Sequence, residues 1–208
     1  SEVSSGEGKL EFKTTTGGTS ATKMTIDGAG AVTLATPLPA TSGGTGVASN
    51  VGTVANIVMV QTRTAGDFSA TNTGNGTAIT PLNITFTPKK AGNKVMLEFT
   101  VNGEGHYDSV FLVSRNDVLL TDATDGSNNR WAGTTSMAYD TGISNTPSNM
   151  SIRILDLNTL ATESTYKVQI RSSYATATIF RLNRTYNNAG TNAHETTLSV
   201  ATATEIWT

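Results

Sequence analysis

The sequence predicts an all-β protein with a short β-rich stalk and collar, followed by an antiparallel jelly-roll β-sandwich of eight to ten strands. Thr, Ser, Asn and Gly dominate while Lys and Glu are scarce, so helix formers are weak and strand and turn formers are plentiful. Short apolar runs alternate with a period of two, and no longer segment carries a helical apolar stripe. Together these features favour strands throughout.

The first segment, residues 1–50, contains three short strand-like runs separated by glycines. Apolar side chains alternate in each run, but each run is too short to form a core within one chain. We therefore expect the apolar sides to meet identical neighbours. The runs are KLEFKT (9–14), KMTID (23–27) and AVTLAT (31–36).

Residues 37–50, PLPATSGGTGVASN, join the two segments and cannot bury apolar surface or form a helix. One interpretation is an ordered collar in which glycine lets several chains approach closely. The other is an ordinary flexible linker. The strand-like runs that precede it favour the collar.

The second segment, residues 51–208, has the pattern of an antiparallel sandwich, because strand-like runs recur at close spacing between turn residues. A turn is expected at Asn116-Asp117. The runs are 56–62, two or three short strands within 66–87, then 94–101, 109–120, 150–157, 164–173, 177–186 and 196–207.

Alternation within these runs predicts the core of the sandwich. Val58 and Val60 offer the opposite register in the first strand, where a slip of one residue exchanges the two faces. The predicted core residues are Ile57, Met59, Val95, Leu97, Phe99, Val110, Leu112, Ile152, Ile154, Val168, Ile170, Leu198 and Val200.

Composition argues against several classes of protein. The formal net charge is -2 and only 14% of residues are charged, which disfavours nucleic acid as a partner. No apolar run approaches the roughly 20 residues needed to span a bilayer, and no signal peptide is recognisable. The chain has no cysteine, so disulfides and thiolate chemistry are excluded.

Catalysis is not expected. Neither of the two histidines lies beside a nucleophile in a recognisable motif. Aspartates such as Asp140 and Asp156 could form a glycosidase pair, but the repeats of a solenoid that presents a groove are missing. No cofactor is expected either. Asp122, Asp125 and Asn128 have oxygen ligands suited to calcium, although Asx turns explain the same residues more simply.

The first segment resembles the distal region of bacteriophage tail fibres. The resemblance rests on TTTGGTSATKMTIDGAGAVTLAT (14–36), followed by SGGTG (42–46). Fibre shafts of this kind combine glycine turns, short strands and a GGTG element before a globular tip. The resemblance implies a homotrimer located on a virion, joined to upstream fibre or other virion proteins.

The second segment is similar to the jelly-roll family of complement and tumour-necrosis-factor proteins. The similarity rests on ITFTPKKAGNKVMLEFTV (84–101) and on the later strands, with Phe86, Pro88 and Gly92 approximating the family's turn into a long apolar strand. It implies a trimeric jelly roll. Trimeric fibre tips with this fold form a known class, so the two resemblances agree.

The receptor contact is expected on loops at the end of the sandwich opposite the stalk, near 63–80, 102–108, 156–163 and 185–195. Aromatic rings pack on apolar sugar faces and amides match hydroxyls, although Tyr and Asn are also ordinary loop residues. Trp131, expected on the other side, is a second aromatic candidate. The remaining candidates are His106, Tyr107, Tyr186, Asn187, Asn188 and His194.

The function expected from these observations is a non-catalytic virion fibre tip that binds a host surface glycan or protein during phage adsorption, without membrane insertion. Two alternatives stay open. One is a capsid-surface fibre or decoration protein, and the other is a secreted complement-like lectin.

Overall fold

The computed structural model describes residues 8–36, 52–105, 107–120, 133–137, 146–157, 159–172, 174, 176–186 and 195–208. The chain divides into two compact units, Ser1–Val51 (unit 1) and Gly52–Thr208 (unit 2). The predicted collar at 37–50 lies outside the described residues.

Unit 1 is an antiparallel three-stranded sheet in which β1 (Leu10–Thr16), β2 (Thr19–Ile26) and β3 (Val32–Leu34) pair in chain order. The three predicted runs are therefore strands. β1 and β2 are joined by Gly17-Gly18, whose φ angles of 59° and 82° suit a two-residue hairpin turn. Before β3, Oδ1 of Asp27 accepts the backbone N–H groups of Ala29 and Ala31, both at 2.9 Å.

One face of the unit 1 sheet is apolar. Strand register sets six apolar side chains in two rows of three, since directly paired residues share a face. None of the described residues of unit 1 is buried. The apolar face of this sheet therefore remains at least partly exposed to solvent. The rows are Leu10, Ile26 and Val32, then Phe12, Met24 and Leu34.

Unit 2 is an antiparallel β-sandwich, in agreement with the predicted all-β fold. A short 3₁₀ turn, Thr80–Leu82, precedes its fourth strand. The strands are β4 (Val54–Thr62), β5 (Gly66–Ala70), β6 (Thr77–Ala78), β7 (Ile84–Phe86), β8 (Lys94–Gly105), β9 (Ser109–Arg115), β10 (Val118–Leu119), β11 (Thr135–Ser136), β12 (Ser148–Asp156), β13 (Ser164–Ser172), β14 (Thr178–Leu182) and β15 (Ser199–Ile206).

The pairing of these strands is that of a jelly roll. In one sheet the order is β4-β15-β8, with β12 on the other side of β8. β14 pairs with the last residues of β8, beyond the part of β8 that pairs with β15. β5 pairs with β14 and forms the edge of this sheet. In the other sheet β7 and β6 pair with β13, β13 pairs with β9, and β9 carries β10 and β11.

Two turns in unit 2 bear on the sequence predictions. The turn at Asn116-Asp117 joins β9 to β10 as expected, with φ angles of 50° and 67°. Residues 102–105 were predicted to be loop, but β8 runs through Gly105. This prediction was wrong because Gly103 is a packing residue, where a Cβ would overlap Phe180 and the backbone of Arg181.

The core lies between the two sheets. Val95, Leu97 and Phe99 of β8 face Val168 and Ile170 of β13, and all five are almost completely buried. Ile152 is also buried, while Ile154 packs against the core with part of its surface exposed. These members of the predicted core are confirmed.

Three strands present the opposite face to the one predicted. In β4, Val58 and Val60 pack against the core, whereas Ile57 and Met59 are exposed. In β9 the core residues are Phe111 and Val113, while Val110 is half-buried and Leu112 is buried outside the core cluster. In β15 the inward residues are Ala201 and Ala203, so that Leu198 and Val200 are only half-buried.

Two buried carboxylates tie elements together at the end of the sandwich where β4 begins. Asp156 accepts Nη1 of Arg115 at 2.6 Å and the hydroxyl of Tyr166 at 2.9 Å, which links both sheets. Burial, and then the Asp156 charge, raise the pKa of Tyr166 above its usual range. Glu205 accepts the backbone N–H of Lys89 at 2.8 Å and Nδ2 of Asn93 at 2.7 Å, which fixes the turn before β8.

Candidate functional site

The two ends of the sandwich carry different loops. β4 begins at Val54 beside Ile206, which pairs with Lys94 at the start of β8. We call this the base end. The opposite, distal end lies where β8 ends at Gly105 and where β13 gives way to β14. It includes residues 107–108, 174 and 176–177.

A pair of stacked tyrosines occupies the distal end. The rings of Tyr107 and Tyr174 are parallel within 5°, with their centroids 4.1 Å apart. Tyr107 has a φ of 65°, a backbone conformation that bulky residues rarely adopt. Tyr174 remains 44% exposed. The pair therefore combines a fixed geometry with an accessible aromatic surface.

Hydrogen bonds hold the two loops of this pair together. The hydroxyl of Ser172, the last residue of β13, donates to the backbone oxygen of Asp108 at 2.9 Å. The same hydroxyl accepts the backbone N–H of Tyr174 at 3.2 Å. Because each tyrosine is one or two residues from these groups, the stacked pair is positioned by the strands on either side.

Tyr186 lies in a second group, which is charged. The guanidinium carbon of Arg181 is 3.5 Å from the centroid of the Tyr186 ring, a cation–π contact. The backbone N–H of Tyr186 donates to Oε2 of Glu104 at 2.5 Å, and Glu104 is the partner of Arg181 in the strand register. One face of the Tyr186 ring is therefore already in contact with protein.

The charged group extends along β14 and is electrically balanced. Asp67 of β5 is opposite Arg181 and forms an ion pair with Arg184 at 2.5 Å. This group thus contains two arginines and two carboxylates, of which Arg181 and Glu104 contact Tyr186. A balanced set of this kind gives no strong attraction for an anionic ligand.

Asn183 fixes the chain just before Tyr186. It is completely buried with a φ of 58°, and its Nδ2 donates to the backbone oxygen of Thr62 at 2.9 Å. Its Oδ1 accepts the hydroxyl of Ser199 at 2.6 Å. The buried amide therefore joins the end of β4, the start of β15 and the exit from β14, which orients the chain towards Tyr186.

Of the predicted contact residues, only Tyr107 and Tyr186 lie within the described part of the chain, and they have different ring partners. Trp131 and the other candidates lie outside it, as do the calcium candidates. The other contact candidates are His106, Asn187, Asn188 and His194, and the calcium candidates are Asp122, Asp125 and Asn128.

One loop was assigned to the wrong end. Residues 156–163 were predicted at the distal end, but β12 ends at Asp156 opposite Val95, near the start of β8. The backbone oxygen of Thr159 accepts the N–H of Gly92 at 3.0 Å. The loop therefore lies at the base end, because β12 runs antiparallel to β8.

Tyr174 was missed as a candidate. It stands in SSYATA (172–177), a link of small residues between two apolar strands. A lone aromatic in such a link has few neighbours able to bury it, and this pattern could have indicated an exposed aromatic side chain. Arg181 was also missed, since its contact with Tyr186 depends on a bend after β14 that alternation does not reveal.

Within the described ranges, no three His, Cys, Asp or Glu side chains come together in a group that could hold a metal ion. The described part of the chain also contains no helix long and apolar enough to cross a membrane.

No protein-family model matches the chain, and no curated protein is detectably similar to it in sequence.

Proposed function

We propose that the chain is the distal part of a homotrimeric bacteriophage fibre, whose jelly roll binds a host surface structure without catalysis. The observation that carries the proposal is the apolar face of unit 1. A three-stranded sheet needs a covered hydrophobic face to be stable, and this one fully buries none of its six apolar side chains in a single chain.

Identical copies are the partner that fits this face best. Three sheets with the same two apolar rows can bury those rows against one another around a common axis, while the polar faces stay in water. The polar side suits this arrangement, because Glu11, Thr25 and Thr33 form one row across it. Each copy thereby supplies the core that the others lack.

The distal end of unit 2 supports the assignment of receptor binding. Tyr107 and Tyr174 form a positioned aromatic surface at the end remote from the link to unit 1. An aromatic face suits the apolar C–H face of a sugar ring, and a stacked pair loses little side-chain freedom on binding. Three such surfaces per fibre would raise the avidity of individually weak contacts.

Assembly is tested first, by light scattering on the intact chain and on a Phe12→Glu variant. We expect a trimeric mass for the native chain. Phe12→Glu should weaken the trimer, because it places a charge in the apolar row of unit 1. A matched Thr33→Glu change, at an exposed position on the polar face, should leave the mass unchanged. A monomeric native chain would refute the proposed assembly.

Receptor binding is tested with labelled chain on a panel of bacterial strains. Where the native chain adsorbs, a Tyr107→Ala, Tyr174→Ala double variant should lose adsorption while it keeps its trimeric mass. Leu160→Ala, an exposed change at the base end, is the control. Normal adsorption by the double variant would exclude the tyrosine pair as the contact.

A further inference from the structure

The dipeptide Asn-Gly occurs twice in the chain, at residues 75–76 and 102–103. Such a pair is prone to deamidation, because glycine has no side chain to shield the backbone nitrogen that attacks the preceding amide. The glycine nitrogen loses its proton and bonds to Cγ of the asparagine, Nδ2 leaves as ammonia, and a cyclic succinimide forms. Water then opens the ring to aspartate or isoaspartate. The reaction therefore needs only water and involves no oxidation.

The first pair lies in the loop between β5 and β6. Asn75 is exposed, and its Nδ2 donates to the backbone oxygen of Asp117 at 2.8 Å. Asp117 belongs to the turn between β9 and β10, so this hydrogen bond connects two loops that are 42 positions apart in the sequence. Nδ2 is also the group that deamidation removes. The reaction at Asn75 would therefore eliminate the donor that connects the two loops.

Packing requires the glycine that makes Asn75 reactive. Gly76 has a φ of 83°, a conformation that residues with a side chain rarely adopt. A Cβ at this position would lie 2.5 Å from the backbone oxygen of Ile170 and 2.6 Å from Cγ of Arg171. No larger residue can therefore follow Asn75 without displacing the chain from β13. The fold thus retains an unshielded Asn-Gly pair at an exposed position.

The second pair lies within β8 and has a different environment. Asn102 pairs with Asn149 of β12, and Gly103 pairs with Leu182 of β14 on the other side of β8. Nδ2 of Asn102 donates to the backbone oxygen of Leu198, and its Oδ1 accepts Nδ2 of Asn149, both at 2.8 Å. Ring closure here requires the backbone to leave its neighbouring strands and both side-chain hydrogen bonds to break. The same dipeptide should therefore be protected in β8.

We propose that Asn75 is a site of spontaneous deamidation, and that the reaction releases the β5–β6 loop from the β9–β10 turn. A carboxylate at position 75 can only accept hydrogen bonds, so it repels the backbone oxygen of Asp117 instead of binding it. Isoaspartate also lengthens the backbone directly before Gly76, which is in close contact with Ile170. The pairing of β6 with β13 should then loosen as well. This reaction concerns unit 2 alone and is independent of the function proposed above.

The site is tested by incubating the native chain in mildly alkaline buffer, which favours loss of the proton from the attacking nitrogen. Peptide mass spectrometry measures the replacement of NH2 by OH at each asparagine. We expect Asn75 to react at least about tenfold faster than Asn102, the factor equivalent to ~1.4 kcal/mol of activation free energy, and to give both aspartate and isoaspartate. In concentrated urea the two sites should react at similar rates. Equal rates in the folded chain, or a faster reaction at Asn102, would overturn the proposal.

A matched variant tests the chemistry at the same position. Asn75→Gln keeps an amide donor, but its longer side chain would have to close a larger ring, which forms more slowly. This variant should remain unmodified under the conditions in which the native chain reacts. Modification of the glutamine at the rate of Asn75 would exclude the succinimide route.

The structural consequence is measured by hydrogen exchange. The backbone N–H of Leu120 donates to the oxygen of Val113 at 2.9 Å and reports on the β9–β10 turn. It should exchange faster in Asn75→Asp, and in native chain that has deamidated, than in fresh native chain. Thr73→Asp adds the same charge at an exposed position of the same loop and should exchange like the native chain. Unchanged exchange in Asn75→Asp would refute the release of the turn, and equal acceleration in Thr73→Asp would refute the role of the lost donor.

Discussion

The two units of the chain differ in how far they bury their apolar side chains. Unit 2 closes two sheets over a continuous core that includes Phe99, Phe111 and Phe180. Unit 1 has one sheet, and its Phe12 remains 46% exposed. The same alternating pattern of sequence thus produces a self-contained core in one unit and an uncovered apolar face in the other.

This difference depends on the number of strands rather than on their composition. A second sheet gives each apolar side chain a partner across the interior. With three short strands, no second layer exists within the described part of unit 1, and its apolar side chains form no core of their own. The distinction predicts where a substitution will affect folding and where it will affect assembly.

The largest expected effect is that of Phe99→Ala. Phe99 is 1% exposed in the centre of β8, so truncation should lower the free energy of unfolding of unit 2 by roughly 3–5 kcal/mol. Phe12→Ala, the same change in unit 1, should leave the unfolding of unit 2 unchanged. Urea titration monitored by circular dichroism measures both. Equal losses would show that the two units do not differ in this way.

A smaller loss is expected for Gly103→Ala. A Cβ at this position would overlap the backbone oxygen of Arg181 and the ring of Phe180, and neither can move without disturbing β14. Such overpacking costs about 3 kcal/mol at the upper end of its usual range. Gly8→Ala in unit 1, where a Cβ meets no atom within 4 Å, is the control. A stable Gly103→Ala variant would mean that the β8–β14 contact can relax.

The inward face of β15 gives an intermediate prediction. Ala201 is completely buried, so Ala201→Val should destabilise unit 2 by about 1–2 kcal/mol through overpacking. Val200→Thr, on the outward face, should stay within about 0.5 kcal/mol. Thermal unfolding compares them. If Val200→Thr were the more destabilising change, Val200 would face the core, as the sequence predicted.

The errors in register show what the sequence could predict. Every described strand of unit 2 except β11 overlaps a predicted run, because turn residues bound the apolar runs. Alternation predicted correctly which side chains of β8, β12 and β13 face the core, because polar residues separate the apolar ones in these strands. It was not informative in β4 and β9, whose runs NIVMV and SVFLV are apolar on both faces. In β15 the inward residues are the small Ala201 and Ala203, and the larger Val200 led to a prediction of the opposite face.

The distal end was predictable only in part. Tyr107 follows one predicted strand and precedes another, so chain order alone makes it a candidate. The stacking of Tyr107 on Tyr174 joins residues 67 positions apart in the sequence and arises from the pairing of β9 with β13. Likewise, the contact of Arg181 with Tyr186 arises after the end of β14. Such contacts depend on tertiary structure, and no local pattern encodes them.

The smallest expected effect is a dependence of unit 1 on pH. Lys9 and then Lys13 donate hydrogen bonds to Glu11, at 2.5 and 2.9 Å, and lower the pKa of Glu11 from 4.5 to about 2. Because the folded pKa lies below the unfolded one, the stabilisation is present above pH 4.5 and is lost as the pH falls towards 2. The contribution should be small and sensitive to salt, since the two lysines are exposed to solvent and Glu11 is only half-buried. Hydrogen exchange of the β1 and β2 amides in the native chain should therefore become faster below pH 4.5, after correction for intrinsic rates, while a Glu11→Gln variant should show no such change. The core amides of β8 serve as the internal control, and an equal response from the Glu11→Gln variant would assign the pH dependence to another group.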